Sequence, residues 1–389
     1  MKVFINPTYT TPDKADGGIR RCADAMQRDL PAHGWDVTGV PDEADLILNH
    51  GASLIERAGV PMIAACHGML WEDYNFGLWG DDVNKAVTTV MTRAQAITAP
   101  SRWVAHAISR GMLARPTTVY HGVDADAWAH DKESMGYVLW NKARTDPVSD
   151  PADMQALAKL LPELPFVTTF GQQTSNVLPI GPKPFGDMRS IVQQAGVYLA
   201  TARETFGIGT IEALAAGVPV VGWDYGGQAE IVVQGETGYL APFGDVGALA
   251  DCVRRCLAER ERLSRACVAD ARQRWGWSDK IAQYAALFDR VVEEWTTPRP
   301  KVSVVVTCYN LAQYLGDAIT SIVNQTMKDW ECLVIDDCST DTTATIAGLH
   351  RAARYLRTPQ NLGLSGARNY GATHANGRYI IFLDADDML

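Results

Sequence analysis

The stretch of residues 201–240 constrains the fold of this chain more than any other part of the sequence. An apolar strand, predicted over residues 197–200, leads through a polar loop into a helix predicted over residues 208–216. Gly217 and Pro219 end this helix, and a second apolar strand and a glycine-rich loop follow. A strand, a helix and a strand in this order predict a parallel βαβ unit.

The junction between the first strand and the helix has the composition of a phosphate-binding turn. Small residues there leave backbone N–H groups open at the positive end of a helix, where a diphosphate binds well. Glu204 lies just before the helix and Glu212 in its first turns, so both carboxylates can accept hydrogen bonds from sugar hydroxyl groups beside the diphosphate. Two glutamates near a helix start are also ordinary capping and dipole partners. The predicted nucleotide contacts are Phe206, Gly207, Ile208, Gly209, Thr210 and Glu212.

The wider spacing pattern is more specific than either glutamate. The chain has Glu204, seven residues and Glu212, then Ala-Gly-Val-Pro-Val-Val at 216–221, Gly-Gly-x-x-Glu at 226–230 and Gly-x-x-Gly-Tyr-Leu at 235–240. This series resembles the retaining glycosyltransferases of family 4, which have the GT-B fold. The resemblance implies that Glu204 faces the donor sugar and Glu212 the nucleotide ribose.

Length and composition limit the class of protein. The 389 residues suffice for two or three domains, and 47% hydrophobic and 21% charged residues are typical of a globular protein. A net charge of -10 argues against a nucleic-acid partner and provides no polybasic membrane patch. No apolar run approaches the ~20 residues of a membrane span, and no signal peptide is recognisable. We therefore expect a soluble, cytoplasmic protein, or one peripheral to the inner face of the membrane. The eight cysteines lack metal-ligand spacing and predict neither a zinc site nor a disulfide.

The first domain is predicted over residues 1–126 and begins with an apolar strand followed by Gly17 and Gly18. A Gly-Gly pair lets backbone N–H groups approach an anion closely, although such a pair is often only a turn. The resemblance implies that this loop contacts the donor diphosphate. Arg20 and Arg21 either add positive charge there or are solvated helix residues.

Further strands, predicted to form a parallel sheet with helices on both faces, continue the first domain. His67 ends one of them, at the edge where open α/β sheets bind ligands. A lone histidine there is more often structural, but the resemblance implies a histidine beside the donor sugar. The polar and aromatic loop 71–74 could line the acceptor side. His121 departs from the family, which usually has Asn-Gly-Val-Asp at this point, and the hinge between the domains is expected near Gly122.

The second Rossmann-like domain is predicted over residues 127–277, and its first strand leads to Lys142 and Arg144. Two cations beside a diphosphate would stabilise the charge of the leaving group without a metal, and a solvated loop is the alternative. The family spaces its two cations more widely, which leaves the role of each residue open. The main chain around Ile180 is predicted to contact the base. Glu230 is as well suited to cap a helix as to touch a ligand.

A helix predicted over residues 278–296, with Ser278 as its N-cap, has one apolar face at spacings of three and four. The resemblance implies that this helix crosses back to the first domain. The segment 297–301 is a short Pro-rich linker, after which a separate unit is predicted over residues 302–389.

This last unit again alternates strands and helices, and Asp384-Ala-Asp386 follows an apolar strand. Two carboxylates spaced by one residue at a strand end can hold a hard cation and, through it, a diphosphate. The segment 301–389 resembles the beginning of a family 2 inverting glycosyltransferase with the GT-A fold. The resemblance implies nucleoside contacts from Thr307, Tyr309 and Asp337, Arg368 near the phosphates, Asp384 near the ribose and Mn or Mg at Asp386. Such domains continue for well over a hundred residues, so we expect a partial unit that packs poorly or associates with a second chain.

The sequence thus predicts an α/β protein with the GT-B fold over residues 2–295, two Rossmann-like doubly wound domains facing a cleft, followed by a partial GT-A unit. The expected function is retaining transfer of a hexosyl group from a nucleotide diphosphate sugar, without a cofactor in the GT-B half. The acceptor would be a glycan, a lipid-linked or a small-molecule hydroxyl group in bacterial polysaccharide synthesis. The alternatives are a non-catalytic nucleotide-sugar-binding module and a GT-B epimerase or phosphorylase, and turnover discriminates among them.

Overall fold

The computed structural model describes residues 1–9, 17–68, 77–112, 114–143 and 147–389. The chain forms two compact bodies, a main body over Met1–Glu294 and a C-terminal unit over Trp295–Leu389. The main body contains two parallel sheets, and each sheet has six strands.

The first domain is a parallel sheet in the order β2-β1-β3-β4-β5-β6, as the alternation of strands and helices predicts. Apolar clusters lie on both faces of the sheet, one with the first helix and another with the next two helices. The strands are β1 Lys2–Asn6, β2 Asp36–Thr38, β3 Leu46–His50, β4 Met62–Ala65, β5 Ala96–Ala99 and β6 Thr117–Thr118, and the helices are α1 Gly18–Asp29, α2 Gly77–Arg93 and α3 Arg102–Met112.

The second domain begins after a short helix, α4 Ala125–Trp128, and its sheet has the order β12-β11-β10-β7-β8-β9. All its neighbouring strands are parallel, and apolar clusters lie on both faces of the sheet, so its strands are mostly apolar. The strands are β7 Val138–Trp140, β8 Phe166–Thr168, β9 Val177–Pro179, β10 Val197–Ala200, β11 Val220–Trp223 and β12 Gly238–Ala241, and the helices are α5 Ala152–Leu160, α6 Phe185–Gln194, α7 Ile208–Ala215, α8 Val246–Ala258 and α9 Arg260–Arg274.

The helix α10, Trp277–Thr296, returns from the second domain to the first. Its apolar face packs into the core beside α1, and Trp35 Nε1 donates a 2.9 Å hydrogen bond to Asp289 Oδ1. The helix begins one residue before the predicted N-cap, Ser278, which is itself helical. Trp277 instead packs against Gly122, where a Cβ atom would lie 2.6 Å from the indole Cδ2.

Both connections between the domains run side by side. Val123 N donates to Trp275 O at 2.7 Å, and Val123 and Gly276 form an isolated parallel bridge. The strand β6 just before Val123 has only two residues, because this part of the chain leaves the sheet and crosses between the domains.

The C-terminal unit is a four-stranded parallel sheet in the order β15-β14-β13-β16. Three helices accompany it, and the carboxyl ends of β13, β14 and β16 lie along one edge of the sheet. The residues Tyr379–Asp384 form the edge strand β16, in which Ile380, Ile381 and Phe382 are about two-fifths exposed. The other strands are β13 Val302–Cys308, β14 Trp330–Asp336 and β15 Ala353–Arg357, and the helices are α11 Ala312–Val323, α12 Thr343–Leu349 and α13 Gly363–His374.

The helices in the described part of the chain do not combine the length and the apolar character that crossing a membrane requires.

Candidate active site

A cavity of about 490 Å³ lies in the cleft between the two domains of the main body. The carboxyl ends of parallel strands in both sheets face it, as expected for ligand sites in open α/β folds. Residues from both domains line it, among them Gly17, Gly18, His67, Lys142, Glu204, Phe206, Gly207, Ile208, Gly209 and Glu212, all of which the sequence predicts as site residues.

Two helix N-termini meet at this cavity. Gly17 precedes α1 with φ of 81°, and Gly207 precedes α7 with φ of 101°, conformations that favour glycine. A Cβ atom on Gly18 would lie 2.9 Å from the Ile208 side chain, so the two helix starts approach closely across the cleft. The open N–H groups and the two helix dipoles create a positive environment suited to a diphosphate.

Lys142 and Glu204 form an ion pair at the cavity wall. Lys142 Nζ donates a 2.8 Å hydrogen bond to Glu204 Oε1, and the two side chains are 9% and 30% exposed. The backbone N–H of Lys142 donates to Thr169 Oγ1 at 2.8 Å, which fixes the start of the loop after β7. The cation that the sequence assigns to the leaving group is therefore in contact with the carboxylate assigned to the sugar.

Arg21 and Glu212 form a second ion pair, which joins the two domains. Arg21 Nε lies 2.5 Å from Glu212 Oε1. The Arg21 guanidinium also stacks on the Phe185 ring at 4.3 Å. The sequence left open whether Arg20 and Arg21 contribute positive charge to the site. Arg21 lines the cavity, whereas Arg20 donates a hydrogen bond to Asp24.

Three histidines are stacked at the first-domain side of the cavity. The ring centroids of His50 and His67 lie 5.0 Å apart, and those of His67 and His121 lie 5.2 Å apart. His50 Nδ1 and His67 Nε2 share a 2.7 Å hydrogen bond, and Cys22 Sγ lies 3.1 Å from His121 Nδ1. Sequence reasoning identified His67 and the unusual His121, and it missed both of their partners.

Burial keeps these histidines neutral. It lowers the pKa of His67 to about 4 and the pKa values of His50 and His121 well below the usual range, and the neighbouring rings of the stack lower the last two further. Burial also raises the pKa of the Cys22 thiol, which therefore stays protonated.

Some predicted contacts do not line the cavity. Thr210 is buried, and its backbone N–H donates a hydrogen bond to Gly207 O in the first turn of α7. Ile180 N donates to Thr168 O, and the cavity is lined instead by the nearby Pro182 and Lys183. Arg144 and the predicted acceptor loop 71–74 lie outside the described residues.

Glu230, for which the sequence left two roles open, caps a helix of the opposite domain. Its carboxylate accepts from the backbone N–H groups of Arg102, at 3.1 Å, and Trp103, at 2.7 Å, at the start of α3. Tyr120 Oη donates to the same carboxylate at 2.8 Å. This cluster holds the two domains together at a helix N-terminus.

The C-terminal unit gathers its predicted polar residues at the carboxyl edge of its sheet. Asp384 accepts from Thr307 Oγ1 at 2.8 Å and from Arg368 at 2.9 and 3.0 Å. Asp337 Oδ1 accepts from the N–H of Leu362 at 2.8 Å. Tyr309 is half exposed in the loop that follows β13.

The metal predicted for this unit would have few protein ligands. Asp384 is already bonded to an arginine, and Asp386 is exposed. Within the described residues there is no cluster of three or more His, Cys, Asp or Glu side chains placed to hold a metal ion. Mg²⁺ and Mn²⁺ favour about six oxygen ligands, and Mg²⁺ is usually held by one or two carboxylates together with phosphate oxygens.

Two family models match separate parts of the chain. Residues 172–274 match "Glycosyl transferases group 1", and residues 303–389 match "Glycosyl transferase family 2". The first match contains Glu204, Glu212 and α7, and the second begins in β13 and includes the Asp384 cluster.

Curated relatives are similar over part of their length. The TuaG protein of Bacillus subtilis (strain 168), named as a teichuronic acid biosynthesis glycosyltransferase, is 36% identical over 96 residues, which are 24% of this chain and 38% of that protein. The cholesterol galactosyltransferase of Borreliella burgdorferi is 41% identical over 91 residues, 22% of this chain and 25% of that protein. The chain thus spans well under half of either relative.

Solved structures resemble the main body. Sucrose-phosphate synthase from Thermosynechococcus elongatus has a TM-score of 0.57 at 17% identity, and the match covers 74% of this chain and 98% of that one. Anabaena HepE, solved in complex with UDP-glucose, has a TM-score of 0.55 at 17% identity, over 75% of this chain and 100% of that one. These likenesses confirm the predicted GT-B fold, and the family 2 match over residues 303–389 fits the separate region predicted after it.

Proposed function

We propose that the main body is a retaining glycosyltransferase that moves a sugar from a nucleoside diphosphate sugar to an acceptor hydroxyl group. The observation that carries the proposal is the convergence of two helix N-termini and two cation–carboxylate pairs on one interdomain cavity. The volume of about 490 Å³ suits a small ligand of this class. The match of residues 172–274 to "Glycosyl transferases group 1" supports the same function.

In this proposal the diphosphate binds at the N-termini of α1 and α7. The N–H groups next to Gly17 and Gly207 and the side chains of Lys142 and Arg21 neutralise its charge there. When the diphosphate competes for these cations, Glu212 is released toward the ribose and Glu204 toward the sugar. Donor binding thus exchanges two internal ion pairs for contacts with the ligand.

The transfer follows from this placement. The bond between the anomeric carbon and the diphosphate oxygen breaks, and the acceptor oxygen forms the new bond on the same face of the sugar. The acceptor proton passes to the departing phosphate oxygen, so no enzyme nucleophile is required. Lys142 and the helix dipoles stabilise the charge that develops on the leaving group, and Glu204 orients the sugar.

The C-terminal unit is proposed to bind a second nucleotide at Thr307, Asp337 and Asp384. A divalent cation at Asp386 would join the protein to the diphosphate, which would supply the oxygen ligands that the side chains lack. When bound, such a cation would neutralise diphosphate charge. Arg368, which holds Asp384, is proposed to lie near the same phosphates.

The test is a panel of UDP-, GDP-, ADP- and dTDP-sugars, scored for nucleoside diphosphate release with and without EDTA. Release that persists in EDTA assigns the activity to the main body, and the anomeric configuration of the first-formed product, read by proton NMR, tests retention. Release that EDTA abolishes would assign the activity to the C-terminal unit instead. Binding of nucleoside diphosphates without turnover on any acceptor tried would favour a binding module. A Glu204→Gln variant is the background control for the main body.

A further inference from the structure

Cys22 and His50 are buried next to the cavity, where His50 contacts His67 and Cys22 contacts His121. His67 and His121 line the cavity, whereas His50 is 1% exposed and Cys22 belongs to the core of the first domain. Each buried residue contacts a single ring nitrogen of its partner, at 2.7 Å for His50 and 3.1 Å for Cys22. Which ring nitrogen carries the proton is set by the hydrogen bond that the other one makes.

We propose that His50 and Cys22 are positioning residues, which fix the tautomers of His67 and His121 so that two neutral rings present N–H groups to the donor. The acceptor is an oxygen of the nucleotide sugar, either a sugar hydroxyl or a phosphate oxygen. What the two groups bind rests on the proposed function, whereas the tautomers themselves do not.

The direction of the His50–His67 hydrogen bond follows from the opposite side of the His50 ring. Among the residues that the structure describes, His50 Nε2 is buried and has no hydrogen-bond partner. If His67 donated the shared proton, a neutral His50 would carry its own proton on Nε2, as a buried N–H without an acceptor. If His50 donates from Nδ1, only a lone pair remains at Nε2, and an orphaned acceptor is the less costly of the two.

The His67 proton is therefore on Nδ1. With Nε2 occupied by His50, Nδ1 is the nitrogen that remains for a ligand. A doubly protonated His50 is disfavoured because the ring is buried and stacked on His67.

The contact with Cys22 determines the tautomer of His121. A buried thiol stays protonated, and it can donate to a bare imidazole nitrogen. Cys22 Sγ–H then donates to His121 Nδ1, and the His121 proton lies on Nε2. The Phe206 ring, edge-on at a centroid distance of 5.2 Å, holds His121 from the second domain.

The stacked neutral rings of His67 and His121 select different ligand groups from those that a positively charged site would select. Protonating both would place two like charges about 5 Å apart in a buried stack, which is unfavourable. As neutral donors, they favour ligand oxygens without adding to the positive charge already provided by Lys142 and Arg21. The stack thus provides hydrogen bonds for orientation, and the ion pairs provide charge.

The experiment reads tautomers directly. Protein labelled with ¹⁵N-histidine is examined by long-range ¹H–¹⁵N NMR without any nucleotide, and signals are assigned with His67→Asn and His121→Asn variants. The expected result is protonated Nδ1 for His67 and protonated Nε2 for His121. The opposite tautomer at either ring in the wild-type protein overturns the assignment for that ring, whether or not any activity is found.

Variants then separate positioning from packing. His50→Phe keeps a ring but removes the donor, and a mixed tautomer at His67 and about five- to tenfold weaker nucleotide-sugar binding are expected, the value of one neutral hydrogen bond. His50→Asn, whose amide N–H can replace Nδ1–H, should restore both. Cys22→Ala and Cys22→Ser form the same comparison for His121. The exposed His106 provides the control His106→Phe, which should change neither readout.

Comparing ligands identifies the oxygen. Weaker binding of the nucleotide sugar with unchanged binding of the nucleoside diphosphate points to a sugar hydroxyl group, and equal weakening of both points to a phosphate oxygen. A shifted tautomer with unchanged binding of both ligands would overturn the proposed contact with the donor.

Discussion

Lys142 Nζ donates a 2.8 Å hydrogen bond to Glu204 Oε1 between the loop after β7 and the loop before α7. Both side chains are largely buried, so removing one partner leaves a charge with little water to solvate it. The pair therefore links the cation proposed for the leaving group to the carboxylate proposed for the sugar.

Replacing Lys142 with methionine keeps most of the side-chain volume and removes the charge. We expect kcat to fall by about 10²- to 10³-fold, because one electrostatic contact with the developing diphosphate charge is lost. Binding of the nucleoside diphosphate should weaken less, since Arg21 and the helix starts remain. Steady-state kinetics and calorimetric titration measure the two effects.

The matched control is Lys159→Met, which removes a lysine from the exposed face of α5 and should leave both constants unchanged. Turnover by Lys142→Met within about threefold of the wild type would contradict the electrostatic role, given the size of such effects.

The two glutamates should respond differently to the same substitution. Glu204→Gln should abolish transfer and leave nucleoside diphosphate binding nearly intact, because the sugar is the only part of the donor that Glu204 is proposed to contact. Glu212→Gln should weaken binding of the nucleoside diphosphate, because the carboxylate proposed to contact the ribose is lost. Binding of inorganic pyrophosphate, which has no ribose, should not weaken, because Arg21 loses its carboxylate partner but keeps its charge. Calorimetry with both ligands checks this, and wild-type-like turnover in both variants would remove the site assignment.

The sequence was a good guide to local structure around the site. The bounds of α7 differ by one residue from the prediction, since an apolar helix between Gly207 and Gly217 has clear ends. Gly17, Gly18, Glu204 and Glu212 lie at one cavity because each follows the carboxyl end of a strand. This placement depends on the hydrophobic periodicity of the strands and helices and on the turn residues between them, and both can be recognised in a single sequence.

Partners between distant segments could not be predicted in the same way. His50 ends β3 and His67 follows β4, and they meet because the sheet order places these strands side by side. Hydrophobic period predicts strands, but it does not give their order. Similarly, Arg21 reaches Glu212 only because the cleft brings α1 to α7, and nothing local distinguishes Arg21 from Arg20.

Glu230 is predicted to stabilise the contact between the two domains. Glu230→Gln keeps the shape but removes the charge at the N-terminus of α3, and a loss of about 1 kcal/mol is expected from the weakened cap and dipole contact. Thermal unfolding should show a melting temperature lower by about 2–4 °C. Small-angle scattering should show a more open average shape of the isolated main body.

Glu236→Gln is the control for this change, because Glu236 lies exposed in the turn before β12. It should melt as the wild type does. An equal melting temperature for Glu230→Gln would show that the interdomain cap adds nothing to stability.

The histidine stack should make stability depend on pH in a defined direction. The folded-state pKa of His67 is about 4, against 6.5 for an ordinary histidine, so between these values the unfolded chain binds a proton that the folded chain does not. Stability from this group is therefore complete above about pH 6.5, is lost as the pH falls toward 4, and changes no further below that. The pKa values of His50 and His121 are lowered in the same direction, so they add to the loss.

Replacing His121 with asparagine removes one titrating ring from the stack. The fall in melting temperature between pH 7.5 and pH 5 should then be smaller than in the wild type by about 2–4 °C, the shift expected per kcal/mol for a domain of this size. Scanning fluorimetry at constant ionic strength measures it, with His106→Asn as an exposed control that keeps the wild-type slope. Parallel curves for His121→Asn and the wild type would mean that His121 already titrates normally in the folded protein, and the neutral stack would then be wrong.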